Sequence, residues 1–245
     1  MKIGIIGGSG LDDPKFFKEI QEKEVKTKFG DVSSKLKIGK IGNVEVVFIS
    51  RHGVKHEIPP SEVNYRANIW ALKEEKVDYI IATTACGSLR KKIERGDLVV
   101  LDQFIDFTRH RKITFHENFK KGPVHTPMAT PFSEALRKKI IKTGGRLDLK
   151  MHEKGTVITI EGPRFSTKAE SRMFQAWGAD VINMSIAPEV ILANEAGIPY
   201  AAIAISTDYD CWLEDEKPVS WEEILKVFNQ NVEKVKDLLL SVISE

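Results

Sequence analysis

Short runs of consecutive Val, Ile and Ala alternate along the chain with longer stretches in which apolar residues recur every three or four positions. That alternation predicts an α/β fold. Strands are expected at residues 2–6, 44–50, 79–84, 98–102, 155–160, 180–183 and 200–206, and most of them are apolar without interruption, as strands buried on both faces tend to be. Caps announce the helices. Thr167 with Glu170 forms a capping-box pattern opening a helix over 168–177, and Ser220 with Glu223 repeats it before the last helix. Leu225, Phe228, Val232, Val235, Leu239 and Val242 give that last helix an apolar stripe, read as packing against its own domain or a subunit neighbour. Asn64 is expected to cap a helix reaching Lys76 with Ile69 and Leu72 inward, and Pro188 suits the first turn of a helix through Ala196. No repeat, low-complexity stretch or linker divides the sequence, so one α/β domain over residues 1–245 is expected.

Composition narrows the function classes. Lys and Arg total 37 against 35 Asp and Glu, a formal charge of +2, and no basic arm or acidic tail concentrates it. A nucleic-acid partner is therefore not expected. Two cysteines, Cys86 and Cys211, exclude a disulfide framework and a four-cysteine zinc site and favour a reducing compartment. The N-terminus turns to glycine after three isoleucines, and no apolar run approaches the roughly 20 residues that span a bilayer. A cytoplasmic location without a membrane partner is the expectation.

The unusual polar residues follow five of the expected strands. They are Gly7 to Gly10 with Ser9, Arg51 to Gly53 with His52, Thr84 to Ser88, Asn183 to Ser185 with Met184, and Thr207 to Asp210. Any one of these segments reads as ordinary turn chemistry; together, at the carboxyl ends of strands in an open α/β sheet, they point to one pocket. Ser9, Thr84 and Ser185 offer hydroxyls, and Arg51 and His52 a fixed and a switchable cation, so a compact anion suits them. A dinucleotide fingerprint fails on spacing, because the third glycine would fall on Asp13. His52 and His56 do not suggest a metal: four-residue spacing unites ligands on a helix, and Gly53, Pro59 and Pro60 mark a loop in which His56 reads as a surface residue. Cys86 reads as a small buried hydrophobe without a local base. Asp208 and Asp210, two apart in an extended segment, would project together toward a donor-rich ligand such as an aminated heterocycle, or else sit solvated at a strand end.

Several segments carry a resemblance that covers nearly the whole chain: GIIGGSGLDD at 4–13, RHG at 51–53, VNYRANIWALK at 63–73, TTACGSL at 83–89, DQFID at 102–106, VHTPMA at 124–129, TIEGPRFS at 159–166, WGADVINM at 177–184 and TDYDCW at 207–212. In these the chain resembles the trimeric class of purine nucleoside phosphorylases. The resemblance implies a single-domain nucleoside phosphorylase fold with a mixed, partly closed β-sheet flanked by helices, and a homotrimer or dimer of trimers. It implies that Ser9, Arg51, His52, Thr84, Ala85 through its backbone, and Ser185 hold phosphate. Phe165, Ser166, Asp208 and Asp210 would surround the purine, with Met184 against the ribose and Tyr209 among the substrate-binding residues. His125 would reach across a subunit interface toward the 5′ substituent, near which Trp221 also lies.

The implied reaction is phosphorolysis of 5′-methylthioadenosine to adenine and 5-methylthioribose 1-phosphate, with phosphate as a substrate and no metal or organic cofactor. Asp208 would be the catalytic residue, sharing a proton with purine N7, and its acceptor character suits a 6-aminopurine where 6-oxopurine phosphorylases of similar type place asparagine. The chain ends at Glu245, before a C-terminal segment with which longer members cover a neighbour's 5′ pocket, and Trp221 stands where smaller apolar residues are common. Both features extend the expectation to plain adenosine. The competing readings are a hydrolase in which Asp208 and Asp210 activate water, and a noncatalytic nucleoside-binding subunit.

Overall fold

The computed structural model describes residues 1–8, 18–120, 122–214 and 220–245. Among these the elements in chain order are β1 (Lys2–Gly7), β2 (Lys18–Lys23), β3 (Lys26–Thr27), β4 (Gly30–Asp31), β5 (Leu36–Ile41), β6 (Val44–Ser50), α1 (Tyr65–Glu74), β7 (Tyr79–Ser88), β8 (Leu98–Val100), β9 (Gln103–Phe107), α2 (Glu134–Arg146), β10 (Met151–His152), β11 (Thr156–Ile160), α3 (Lys168–Ala176), β12 (Val181–Asn183), α4 (Ile186–Ala196), β13 (Tyr200–Asp208) and α5 (Trp221–Ser244). Eleven strands make one mixed sheet, and β3 pairs with β4 separately.

The sheet runs β10-β8-β13-β7-β1-β6-β5-β2, with β11, β12 and β9 branching from it where β12 pairs with β7. Its uninterrupted apolar strands are explained by two cores on opposite faces. Ile3 and Ile5 face a cluster with Phe48, Ile81, Ile203 and Ile205, closed by α2 and α5 through Leu136, Ile140, Phe228 and Val235. Ile6, Val47, Ile49, Ile80 and Ala82 face the other way, against Ile69 and Leu72 of α1 and Val190 and Leu192 of α4. Successive side chains of a strand point to opposite faces, so a strand sandwiched between helical layers has no polar position to spare.

All seven expected strands are present, with corrected limits. Residues 101–102, 155 and 180 fall outside their strands, whereas β7 continues four residues beyond its expected end at Thr84 and β13 two beyond Ser206. The extension of β7 has a physical cause: β13 pairs with it in parallel to Ser206↔Cys86 and, past a one-residue register shift at Thr207, at Asp208↔Gly87, and β12 pairs antiparallel with its end at Gly87 and Ser88. Polar residues at 84–88 are thus strand residues, not a loop after one. β2, β5, β9, β10, the β3–β4 pair and α2 were not anticipated; β2 is exposed along its whole length and shows no alternation, and α2 carries Gly144 and Gly145 in its last turns.

The capping expectations hold. Thr167 and Glu170 form a complete capping box, Asn64 accepts from the Ala67 amide, and Ser220 accepts from the Glu223 amide. α1 ends at Glu74 rather than Lys76, because Lys76 turns left-handed at φ 56°. The buried stripe of α5 runs through Ile224, Phe228, Asn231, Val235, Leu238, Leu239 and Val242, which leaves Leu225 and Val232 at its half-buried margin. It packs against the helix's own sheet.

Candidate active site

β1, β6, β7 and β13 are mutually parallel, so their carboxyl ends share one sheet edge, where α/β folds bind ligands. β12 runs antiparallel to β7, which carries Met184 and Ser185 back alongside Ala85 and Thr84. A cleft of about 720 Å³, counted to its open mouth, forms there. Of the residues expected at the site, Arg51, His52, Thr84, Ala85, Ser185, Phe165, Ser166, Met184, Asp208, Asp210 and Trp221 line it. Ser9 lies outside the described residues. Its neighbour Gly8 does line the cleft, with its amide 3.3 Å from Thr83 Oγ1.

Two chemistries occupy the cleft, three residues apart on β7. Around Thr84 the groups are donors. The Ser185 hydroxyl lies 3.5 Å from Thr84 Oγ1, and Ser185 is the N-cap of α4 but makes no capping hydrogen bond with its side chain. That leaves the hydroxyl, at a helix N-terminus, available to an anion. Around Gly87 the groups are carboxylic: Asp208 Oδ1 lies only 2.8 Å from where a Gly87 side chain would begin. Three strand residues span ~10 Å, a separation suited to an anion site and a base site on either side of a sugar.

Asp208 and Asp210 do not project in parallel from an extended segment as expected. Asp210 is left-handed at φ 50°, and its amide donates to Asp208 Oδ1 at 2.7 Å, so the two meet around a tight turn. Thr207 Oγ1 donates to Asp208 Oδ2 at 2.8 Å. Burial pushes the Asp208 carboxyl above the usual aspartate range against these two hydrogen bonds, and the Asp210 charge adds to the rise. Asp210 is raised by burial too. Tyr209, expected among the substrate-binding residues, does not line the cleft: its ring packs edge-on to Trp212 at 6.3 Å with Arg95 over it.

His52 also differs from expectation. Its Nδ1 lies 2.9 Å from the Ile58 carbonyl, which fixes Nδ1–H as the donor and leaves Nε2 as an acceptor. Burial, then the Arg51 charge, push it down to about 3, so it is a neutral imidazole in this cleft and not a second cation. His56, expected as a surface residue, is half-buried and lines the cleft; its ring stacks between His52 at 4.5 Å and Trp221 at 4.7 Å. His125 does not line the cleft of its own chain and lies exposed beside Phe119. Cys86 packs as expected, its thiol buried and directed at the Ile205 carbonyl.

Two residues that matter to the site escaped the sequence reading. The Arg111 side chain is buried and donates to Glu161 Oε1, to the Tyr65 hydroxyl and to the carbonyls of Ile160, Glu161 and Met184, which pins the Met184 backbone. It sits in a basic run that reads as solvated. Glu189 is 1% exposed and bonds Arg51 through both oxygens. Its signal was present: a carboxylate inside the apolar run of α4 requires a buried partner.

Gly87→Ala would press a methyl against Asp208 Oδ1 and, at 3.0 Å, against Ile182. Overpacking of ~1–3 kcal/mol corresponds to roughly five- to a hundredfold in kcat/KM for the nucleoside, with KM for phosphate little changed, as steady-state kinetics with each substrate varied will report. For His52, the folded pKa lies below the unfolded value of 6.5, so protonation favours the unfolded chain and stability is lost as pH falls between 6.5 and about 3. His52→Gln should flatten the fall of melting temperature over that acid range; an unchanged slope would show that other groups carry it.

The Phosphorylase superfamily profile matches residues 2–244. The S-methyl-5′-thioadenosine phosphorylase of Xenopus tropicalis is 55% identical over 249 residues, covering 100% of this chain and 89% of that protein, and that of Thermofilum pendens is 51% identical, covering 99% and 91%. Among solved structures, methylthioadenosine phosphorylase from Schistosoma mansoni in complex with adenine superposes with a TM-score of 0.95 at 43% identity, covering 100% of this chain and 91% of that one. A mutant of the Schistosoma mansoni adenosine/methylthioadenosine phosphorylase in complex with methylthioadenosine gives 0.94 at 42% identity and the same coverage. No helix among the described residues is long and apolar enough to cross a membrane. With its mixed eleven-stranded sheet, its matched profile and relatives half identical along its length, the chain belongs to the S-methyl-5′-thioadenosine phosphorylase family of the Phosphorylase superfamily.

Proposed function

We propose that the protein catalyses phosphorolysis of S-methyl-5′-thioadenosine, releasing adenine and 5-methylthio-D-ribose 1-phosphate. The observation that carries this reading is the division of one cleft into a hydroxyl-and-guanidinium end around Thr84 and a buried carboxyl pair beside Gly87. Phosphate occupies the first end, held by Thr84, Ser185, Arg51, His52, the Ala85 backbone and Ser9. The purine occupies the second, against Phe165, Ser166, Asp208 and Asp210, with the ribose over Met184. Cleaving the N-glycosidic bond puts positive charge on the sugar and negative charge on the leaving base. The phosphate supplies the compensating charge and then attacks C1′, while Asp208, whose charged form burial disfavours, shares a proton with purine N7 as electron density arrives there. Phosphate is consumed as a substrate, and side chains with backbone amides supply the remaining chemistry.

His125 of a neighbouring subunit and Trp221 border the 5′ substituent in a homotrimer or dimer of trimers, in the cytoplasm. Adenosine is a second substrate, since nothing in the two-ended cleft depends on the 5′ sulfur. A panel of 5′-methylthioadenosine, adenosine and inosine at saturating phosphate tests the assignment. Both 6-aminopurines should release base, with inosine far slower. Preference for inosine would remove the acceptor role of the aspartates.

A further inference from the structure

We propose that Glu189 is a positioning residue for the phosphate substrate, acting through Arg51; the proposal rests on the phosphorolytic reading of the cleft. Arg51 is 1% exposed and still borders the cleft. Of its five N–H donors, Nε donates to Glu189 Oε1 at 2.5 Å, Nη2 to Glu189 Oε2 at 2.9 Å and Nη1 to the Thr83 carbonyl at 2.9 Å. Three bonds to three acceptor oxygens on two residues set the guanidinium plane. Among the described residues one donor then remains on each terminal nitrogen, and a pair of that kind matches two oxygens of one phosphate.

Glu189 is itself held. It lies in the first turn of α4, whose N-terminal dipole favours an anion, and its Oε2 also accepts from the Tyr200 hydroxyl at 2.7 Å. Behind Arg51 the Gly8 backbone leaves no slack: a side-chain carbon there would stand 2.9 Å from Nη1 and 2.7 Å from the Thr83 carbonyl oxygen. Stability does not call for such a pair, because apolar residues of similar volume usually replace buried ion pairs at no cost. Glu189 also balances the Arg51 charge beside a neutral His52, so the pocket has no large excess of positive charge. Orientation of a few donors, not net charge, selects and aligns the phosphate.

The test measures KM for phosphate and for nucleoside, each at saturating partner, in the wild type, Glu189→Gln and Tyr200→Phe. The glutamine keeps the shape but can accept only one of the two guanidinium bonds, so KM for phosphate should rise roughly tenfold or more while KM for nucleoside stays within about twofold. Tyr200→Phe removes only the hydroxyl bond to Glu189 and should raise KM for phosphate about threefold in the same selective manner. Unchanged KM for phosphate in both variants, or a parallel rise in both constants, overturns the positioning role. If Glu189→Gln does not fold, the Tyr200→Phe ratio decides alone. Wild-type cleavage that ignores phosphate would instead sink the phosphorolytic reading, an outcome separate from a phosphate-dependent wild type with insensitive variants.

Discussion

Asp208→Asn is expected to slow adenine release from 5′-methylthioadenosine by roughly 100- to 1,000-fold while raising thermal stability at neutral pH, the size of effect seen when one preorganised transition-state donor is removed. The two directions have one cause. The carboxyl is only 8% exposed, and burial raises its pKa above the ordinary aspartate value, so its charged form is disfavoured. Because the folded value is the higher, the unfolded chain loses its proton first; stability is greatest below the ordinary value of 3.8 and declines as pH rises from there toward the folded pKa. Asparagine removes that penalty and preserves the packing. Its carbonyl can accept the Asp210 amide, and its NH₂ can donate to the Thr207 oxygen once that hydroxyl turns its one hydrogen from residue 208 to the Cys86 carbonyl, 3.1 Å away. What it cannot do is share a titrating proton with N7. Base choice should move toward 6-oxopurines, since the amide presents a donor as well as an acceptor. Calorimetry and a two-base assay check both halves, and unchanged selectivity removes the role given to Asp208.

Arg51→Met carries the second large effect, this time on folding. Among the described residues Glu189 would be left, buried at 1% exposure, with only the Tyr200 hydroxyl, and the Thr83 carbonyl would lose its Arg51 donor. Breaking a buried pair in this way costs about 3–5 kcal/mol. For a chain of this size that lowers the melting temperature by on the order of 10 °C. Pairing the substitution with Glu189→Met removes both charges, so most of the lost stability should return. Phosphate use should not return, because the guanidinium donors are gone. Differential scanning calorimetry of the single and double variants, beside their phosphate kinetics, separates the two contributions. A single variant that melts within about 2 °C of wild type would mean that water reaches Glu189 and the pair is not desolvated.

The sheet was legible wherever both faces are covered. β1, β6, β7 and β13 announce themselves because each alternate residue enters one of two cores. β2 did not, being an exposed edge strand of Lys, Glu and Gln held by backbone pairing with β5. The residues of the cleft were legible as segments at strand ends, but their geometry was not. That Ser185 meets Thr84 depends on β12 running antiparallel to β7, a property of topology that periodicity does not encode. His52 looked like a second cation because its charge depends on burial and on a carbonyl six residues away. Tyr209 looked like a substrate contact through its neighbours, and the left-handed Asp210 turns its ring toward Trp212 instead. Glu189 was the clearest missed signal, since its partner Arg51 was already marked as important from the opposite end of the sequence.

Phosphorolysis requires that phosphate, not water, takes the sugar. Incubating the wild-type protein with 5′-methylthioadenosine and following the sugar by phosphorus NMR tests it directly. Adenine should appear only when phosphate is present, in equal amount with a new phosphate-ester signal from 5-methylthioribose 1-phosphate. Adenine release at the same rate without phosphate, accompanied by free 5-methylthioribose, would contradict the account and make the protein a hydrolase.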